Sequence, residues 1–282
     1  MPKDLYYSNQ VETGNGCTVH YCLDAFNKRL RVDDYEGNID SLFEFACGIA
    51  KQRALTKLFI KSRQEDWEIF LSKGCMLEGI YKGYFDGRDA YCMAYYLDLE
   101  RRTSDYWIEE DHILRQVLEL PFRPDRTQAA DDVTLRMASP DDAGALAALY
   151  GRIFKTYPVP MHDPSYVGKA MLEGTIFYVI EQSGELVSSA SAEINTIYRN
   201  AEMTDCATLP SHRGKGHMRL LLHALEEELA GRNIRCLYSL SRALSFGMNA
   251  VFRQMGYRYC GRLTKNCDIY DKFEDMNLWV KL

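Results

Sequence analysis

Apolar and polar residues alternate along Val133–Ala138 (VTLRMA), the period-two signature of a strand with one buried face. Ser139-Pro140-Asp141-Asp142 then reads as a helix start, with Ser as N-cap, Pro in the first turn and acids beside the positive end of the helix dipole. A helix over Ala143–Phe154 follows. Tyr157–Pro164 (YPVPMHDP) holds three prolines and is excluded from regular structure, whereas Ser165–Glu173 reads as a short second helix. Strands are predicted at Ile176–Glu181, Leu186–Ile197 and Glu202–Leu209, with turns at Ser183-Gly184 and Arg199-Asn200. Leu221, Leu222, Leu225 and Leu229 recur at helical spacing within Met218–Ala230, and Gly231 stops that run. A strand at Arg235–Leu240, a helix at Leu244–Met255 and strands at Arg258–Leu263 and Met276–Val280 complete the order, which implies a mixed sheet with helices on both faces.

The upstream half repeats part of this order. Asn38–Arg53 is amphipathic and opened by Asn38, Leu55–Ile60 is a strand, Glu65–Lys73 is a helix ending at Gly74, and Tyr-rich strands follow at Leu77–Phe85 and Ala90–Leu97. Phe70 and Gly74 share their spacing with Phe252 and Gly256. The upstream half therefore reads as a degenerate copy of the second part of the downstream unit, without its Gly-rich loop; such an order also recurs by chance in α/β chains. The two halves are divided by a Pro-containing polar run near 121–132, so the expected organisation is a domain over 1–125, a linker over 126–132 and a domain over 133–282.

Composition narrows the partners. The 282 residues carry 34 Lys+Arg against 40 Asp+Glu, a net charge of −6, which argues against broad nucleic-acid binding and requires any anionic ligand to be held locally. The first residues lack the apolar core of a signal peptide, and no run approaches the roughly 20 apolar residues that span a bilayer, so a cytoplasmic protein with no membrane partner is expected. Nine scattered cysteines without a CxxC pair read as reduced thiols, and six histidines without clustering predict no metal.

The strongest local signal is a strand, Gly-rich turn and helix at 202–230. Backbone N–H groups from about Arg213 to Met218 would lie at the positive end of a helix, where they can ring a diphosphate, and side chains at Gly214 or Gly216 would obstruct that approach. Arg213, Lys215 and Arg219, with His212 and His217, make the window basic. Neither GxxxxGK[ST] nor GxGxxG is present, since position 219 is Arg; a plain strand-to-helix turn with solvated charges is the competing reading.

Across 133–282 the sequence resembles the GNAT superfamily of acyl-CoA-dependent N-acetyltransferases. The acetyl-CoA loop of that family, Q/R-x-x-G-x-G/A, corresponds to Ser211-His212-Arg213-Gly214-Lys215-Gly216, which departs only in its first residue. A closer resemblance, carried by MTDCATLPSHRGKGHM, SRALSFGMNAVFRQMGYRYCGRL and FEDMNLWVKL, is to the beta-lysine N-acetyltransferase family, whose product is N-epsilon-acetyl-beta-lysine, a neutral compatible solute used in osmoprotection. The resemblance implies a GNAT-type twisted mixed sheet flanked by helices, preceded by a degenerate half-GNAT-like α/β domain, with acetyl-CoA as cosubstrate and a small amine as acceptor; another small amine, a protein lysine, or a non-catalytic CoA-binding module are the alternatives. It leaves open whether the first half touches the active site, serves as the surface of a homodimer or only completes the fold.

The resemblance also implies site residues. Cys206, Ala207, Thr208 and Leu209 would line the pantetheine arm, with Arg213, Gly214, Lys215, Gly216, His217 and Met218 at the diphosphate. Glu202 is preferred as general base, with Asp205 second and Glu193 third or in a substrate-binding role, and a water relay as the alternative. Asp205 falls on the face opposite Glu202 unless a bulge intervenes. The position where the family commonly carries an acidic Tyr is Phe252, which cannot donate a proton; Ser245 and Asn249 would instead contact the pantetheine or thiolate, with Tyr238, Tyr257 or solvent as further sources. Arg242 is the candidate clamp for a substrate carboxylate, and Tyr157, His162 and Asp163 are candidates for the acceptor site.

Overall fold

The computed structural model describes residues 6–123 and 132–282; the linker expected at 126–132 lies outside the described residues except for Asp132. Thirteen strands form one continuous mixed sheet. In the second half the strands are β7 (Val133–Met137), β8 (Ile176–Gln182), β9 (Glu185–Asn195), β10 (Asn200–Thr208), β11 (Cys236–Arg242), β12 (Arg258–Asp268) and β13 (Phe273–Lys281). Helices α5 (Ala143–Ile153) and α6 (Pro164–Leu172) separate β7 from β8, α7 (His217–Gly231) joins β10 to β11, and α8 (Phe246–Gln254) joins β11 to β12. Each predicted element of this half is present within a few residues of its expected ends, except that β12 runs five residues further, through a bulge that the pattern does not show. Leu221, Leu222, Leu225 and Leu229 of α7 are all fully buried, each stabilising the packed helix by roughly 2 kcal/mol.

The first half holds β1 (Ser8–Gly14), β2 (Cys17–Asp24), β3 (Arg29–Gly37), α1 (Ile39–Gln52), β4 (Lys57–Ser62), α2 (Trp67–Ser72), β5 (Met76–Phe85), β6 (Arg88–Tyr96), α3 (Leu99–Arg102) and α4 (Trp107–Leu118). Strands β1–β3 and helices α3 and α4 are absent from the predicted set. β1 is an edge strand with no buried residue, so it carries no alternation, and α4 buries Leu114 and Val117 while exposing Trp107 and Ile108, which blurs its period.

The sheet order is β1-β2-β3-β4-β6-β5 in the first half and, from the other end, β7-β8-β9-β10-β11-β13-β12 in the second. β1–β6 thus repeat the connectivity of β8–β13: a three-stranded meander, a parallel crossover (β3 with β4, β10 with β11) and a final hairpin. The repeated order is longer than the one legible in the sequence, because it includes the meander. Equivalent strands, β5 and β12, join the halves, and they pair at one position, Gly79 with Gly261. A Cβ on Gly261 would stand 2.3 Å from both Glu78 O and Gly79 Cα, and one on Gly79 would stand 2.9 Å from Cys260 O, so the backbones meet where neither residue has a side chain.

Buried charge reinforces the joint. Beyond Leu263 the register of β12 shifts, and the freed backbone turns toward the first half. Lys57 Nζ donates to Thr264 O (2.8 Å), Arg101 Nε to Lys265 O (2.7 Å) and Arg29 NH1 to Asn266 O (3.1 Å), while Thr264 N donates to Glu78 Oε1 (2.9 Å) and Asp268 N to Asn27 Oδ1 (2.7 Å). Lys57 is fully buried and also pairs with Glu78 Oε2 (2.8 Å), so the cations on these strands replace the missing ladder bonds with charge-assisted ones. An apolar core including Tyr81, Tyr84, Tyr238, Leu263 and Leu278 fills the space between the halves. Among the described residues no helix is long and apolar enough to cross a membrane.

Candidate active site

β10 is the element that shapes the site. It runs parallel to β11 only over Asn200–Glu202, and its pairing with β9 slips between Thr204 and Ala207. Asp205 occupies the slip with φ +48°, a left-handed backbone that turns its side chain off the regular alternation. Below Glu202, β10 and β11 therefore separate, and the consecutive residues Asp205 and Cys206 line two different cavities.

The larger cavity, about 660 Å³, is a groove between α7 and α8, reached by Cys206 and Thr208 of β10. Pro210–His212 form a 3-10 turn, Gly214 (φ +76°) and Gly216 (φ +81°) take left-handed conformations, and α7 starts at His217 without a side-chain cap. Arg213 N is used on Pro210 O (3.4 Å), and the next backbone donor with a protein acceptor is Leu220, on Gly216 O (3.2 Å). Among the described residues the N–H groups of 214–218 have no protein acceptor, so the donors start one residue later than expected. His217 Nδ1 is buried without a partner, and burial, followed by His212 and Lys215, lowers the pKa of the ring. Open helix-terminal donors beside Arg213 and Arg219 suit a diphosphate.

The smaller cavity, about 240 Å³, receives Glu193, Glu202 and Asp205 together. The bulge places Asp205 on the Glu202 side, the alternative to regular alternation. Asp205 Oδ1 accepts from Tyr157 Oη (3.0 Å) and Oδ2 from Ser191 Oγ (2.6 Å); burial raises its pKa against those two donors. Burial also raises Glu202, and Lys61 and Arg31 partly offset the shift. Glu193 lines the cavity but is exposed on its solvent side, and its pKa is raised, first by loss of solvent and then by Glu202 and Asp205. The opposite wall comes from the first half: Tyr7 and Asn9, Cys22 and Asp24 of β2, and Arg29 and Arg31 of β3.

Other expected residues are placed elsewhere. Arg242 lies in the groove, with NH1 3.5 Å from Glu274 Oε1 and its guanidinium 4.9 Å from the Tyr270 ring centroid, and does not line the carboxylate cavity. Asp163 caps α6, accepting from Ser165 N (2.9 Å) and Oγ (2.8 Å), and His162 is exposed; neither lines the carboxylate cavity, into which the Pro-rich loop turns Tyr157, Pro158 and Val159. Asn249 is fully buried. Its Oδ1 accepts from Ser241, Asn277 and Trp279, and its Nδ2 donates to Arg242 O and Ser245 O, which leaves no capacity for a ligand. Asn249→Ala is accordingly expected to cost about 3 kcal/mol by stranding these groups, read as a fall in Tm with acetyl-CoA affinity of the folded protein unchanged. Ala207 and Leu209 point into the core, so only their backbone can meet a ligand, and Lys215 is exposed outside the groove lining. Ser245 faces the groove. Phe252 is fully buried edge-on against Tyr257 (5.1 Å), and Tyr238 packs against Tyr81 (4.9 Å); neither tyrosine lines the groove.

The residues missed by sequence reasoning are those of the first-half wall. In Arg29–Val32 charged and apolar residues alternate, and Leu30 and Val32 are fully buried. The charged face of such a strand reads as solvent-facing unless the opposing wall is known, so Arg31 carries no signal of its own.

The Acetyltransferase (GNAT) family matches residues 145–257, which hold the bulged strand, the Gly-rich turn and α8. Over 267 residues the chain is 40% identical to N-acetyltransferase YodP of Bacillus subtilis, covering 95% of this chain and 97% of that one. It is 34% identical to a beta-lysine N(6)-acetyltransferase of Methanosarcina mazei (88% of this chain, 99% of that one) and 31% identical to one of Methanococcus maripaludis (92% and 94%). The chain therefore belongs to the GNAT family of acetyltransferases.

Proposed function

We propose that this acetyltransferase moves the acetyl group of acetyl-CoA to the epsilon-amino group of beta-lysine, giving N-epsilon-acetyl-beta-lysine. The observation that carries the reading is that consecutive residues of β10, Asp205 and Cys206, line a carboxylate cavity and a donor-rich groove respectively. The names of the two methanogen relatives support the choice of acceptor.

The open N–H groups of 214–218 hold the diphosphate, and the separation of β10 from β11 admits the pantetheine arm beside Cys206 and Thr208. The acceptor enters as an ammonium, with a pKa near roughly 10.4, and must lose a proton before it can attack. Glu202 takes that proton. The freed nitrogen forms its bond to the acetyl carbon, the carbon–sulfur bond breaks, and the second proton shed by the nitrogen passes to the departing thiolate through solvent, with Ser245, which faces the groove, placed to hydrogen-bond the sulfur. Asp205, held by Tyr157 and Ser191, fixes the shape of the bulge at the reacting end, and Glu193 meets the ammonium that is not acylated.

Purified protein given acetyl-CoA and beta-lysine should release free thiol and yield the mono-acetylated product by mass spectrometry; turnover with other amines but not with beta-lysine would reject the acceptor. Gly214→Asp tests the groove. No atom lies within 4 Å of a Cβ built there, but φ +76° strains any side chain at this position, and the carboxylate would in addition repel the diphosphate. Its acetyl-CoA Kd is expected to rise roughly tenfold to a hundredfold, and unchanged affinity by calorimetry would reject the loop assignment.

A further inference from the structure

The wall that the first half presents to the carboxylate cavity holds two arginines. Arg29 is anchored at two points, its Nε donating to Asp24 Oδ2 (2.7 Å) and its NH1 to Asn266 O (3.1 Å), which leaves no pair of open terminal nitrogens. Lys61, behind the wall, donates to Asp33 Oδ1 (2.8 Å) and Tyr84 Oη (2.8 Å). Arg31 differs. Its Nε donates to Asp33 Oδ2 (2.9 Å), and among the described residues neither NH1 nor NH2 has a hydrogen-bond partner. Asp33 is itself fixed by Lys61, so the guanidinium is oriented from behind and presents its free edge to the cavity, opposite Glu193, Glu202 and Asp205. A guanidinium anchored through Nε with both terminal nitrogens open is the arrangement that takes a carboxylate in a forked pair.

We infer that the first half of the chain completes the acceptor site, and that Arg31 binds the carboxylate of an amino-acid acceptor whose amine end lies at Glu202 and the Asp205 bulge. The inference rests on the proposed acceptor cavity and deepens it. It replaces Arg242 as the clamp and explains why a half without a Gly-rich loop is part of the enzyme. The corresponding loop end is closed: Asn38 Oδ1 accepts from Ser41 N (2.9 Å) at the start of α1, the place where α7 leaves its donors free. One half supplies the acyl-donor groove and the other the anion subsite, so the acceptor spans both. Among the described residues of this wall, Arg31 is the cation with both terminal nitrogens open, and it faces three acids, which suits a substrate with one carboxylate and two amines.

The test compares beta-lysine with beta-lysine amide, which keeps both amines and lacks the charge. The wild type should favour the acid. At a pH high enough to keep Glu202 ionised in both proteins, Arg31→Met should lower kcat/KM for beta-lysine by about 10²- to 10³-fold, mainly through KM, and that for the amide by less than about threefold. Arg31→Lys, which keeps the charge and loses the fork, should fall between them. Acetyl-CoA affinity by calorimetry reports folding independently, since Arg31 does not line the groove. Equal losses for acid and amide, or no loss, in either variant would overturn the inference while leaving the proposed reaction intact. A wild type that acetylates amines but no amino acid would overturn both.

Discussion

Glu202→Gln is expected to lower kcat/KM at neutral pH by about 10²- to 10⁴-fold, the usual contribution of a positioned general base. The deficit should shrink as pH approaches the pKa of the amine, roughly 10.4, because the acceptor then deprotonates unaided. Burial raises the Glu202 carboxyl, with Lys61 and Arg31 opposing it, so the group protonates at a higher pH than an ordinary Glu. Below that pH it cannot accept a proton. The wild-type rate should therefore fall on acidification along a limb displaced above the usual carboxylate range, and the limb should vanish in the Gln variant. A limb that survives, moved downward, would transfer the role to Glu193: removing the charge of Glu202 removes one of the groups that raise the pKa of Glu193. A loss that is the same at every pH would instead mean that Glu202 only positions the acceptor.

Gly261→Ala is expected to destabilise the protein by about 4 kcal/mol, read as a Tm lowered by roughly 10 °C. The methyl group would overlap Glu78 O and Gly79 Cα at 2.3 Å, and φ +142° is a conformation that non-glycine residues rarely adopt. The contacted atoms are backbone, so relief requires β5 and β12 to separate. That movement pulls Thr264 away from Lys57 and Glu78, and a buried ion pair that loses its geometry becomes a liability. In the fraction that folds, the amine KM should rise more than the acetyl-CoA Kd, because the acceptor cavity spans the joint whereas the groove lies within the second half. A Tm within a degree of wild type would contradict the close approach at this joint.

The contrast between Gly214 and Arg31 shows which parts of the site are legible along the chain. Gly214 and Gly216 announce themselves because a left-handed turn before an uncapped helix needs specific residues in consecutive positions, and α7 declares its buried face at helical period. Asp205 was partly legible: its distance from Glu202 left two faces open, and only the pairing of β10 with β9 decided for the bulge. Arg31 was not legible at all. Its role depends on a cavity wall far along the chain, and on Asp33 and Lys61 holding it from behind. Asn249 and Asp163 show the opposite case, polar residues near the site that the fold itself employs, Asn249 with its amide fully bonded in the core and Asp163 as the cap of α6.

From its residues alone this chain determined its element order in the second half, the Gly-rich turn at 212–216 and the family to which these belong, because each is written in short-range periodicity and backbone preference. Tertiary structure decided that both halves share one sheet through Gly79 and Gly261, that three acids meet on one side of β10, and that a strand of the first half faces them. Those facts depend on which strands pair and how far they splay, and pairing between distant segments leaves no period in the sequence.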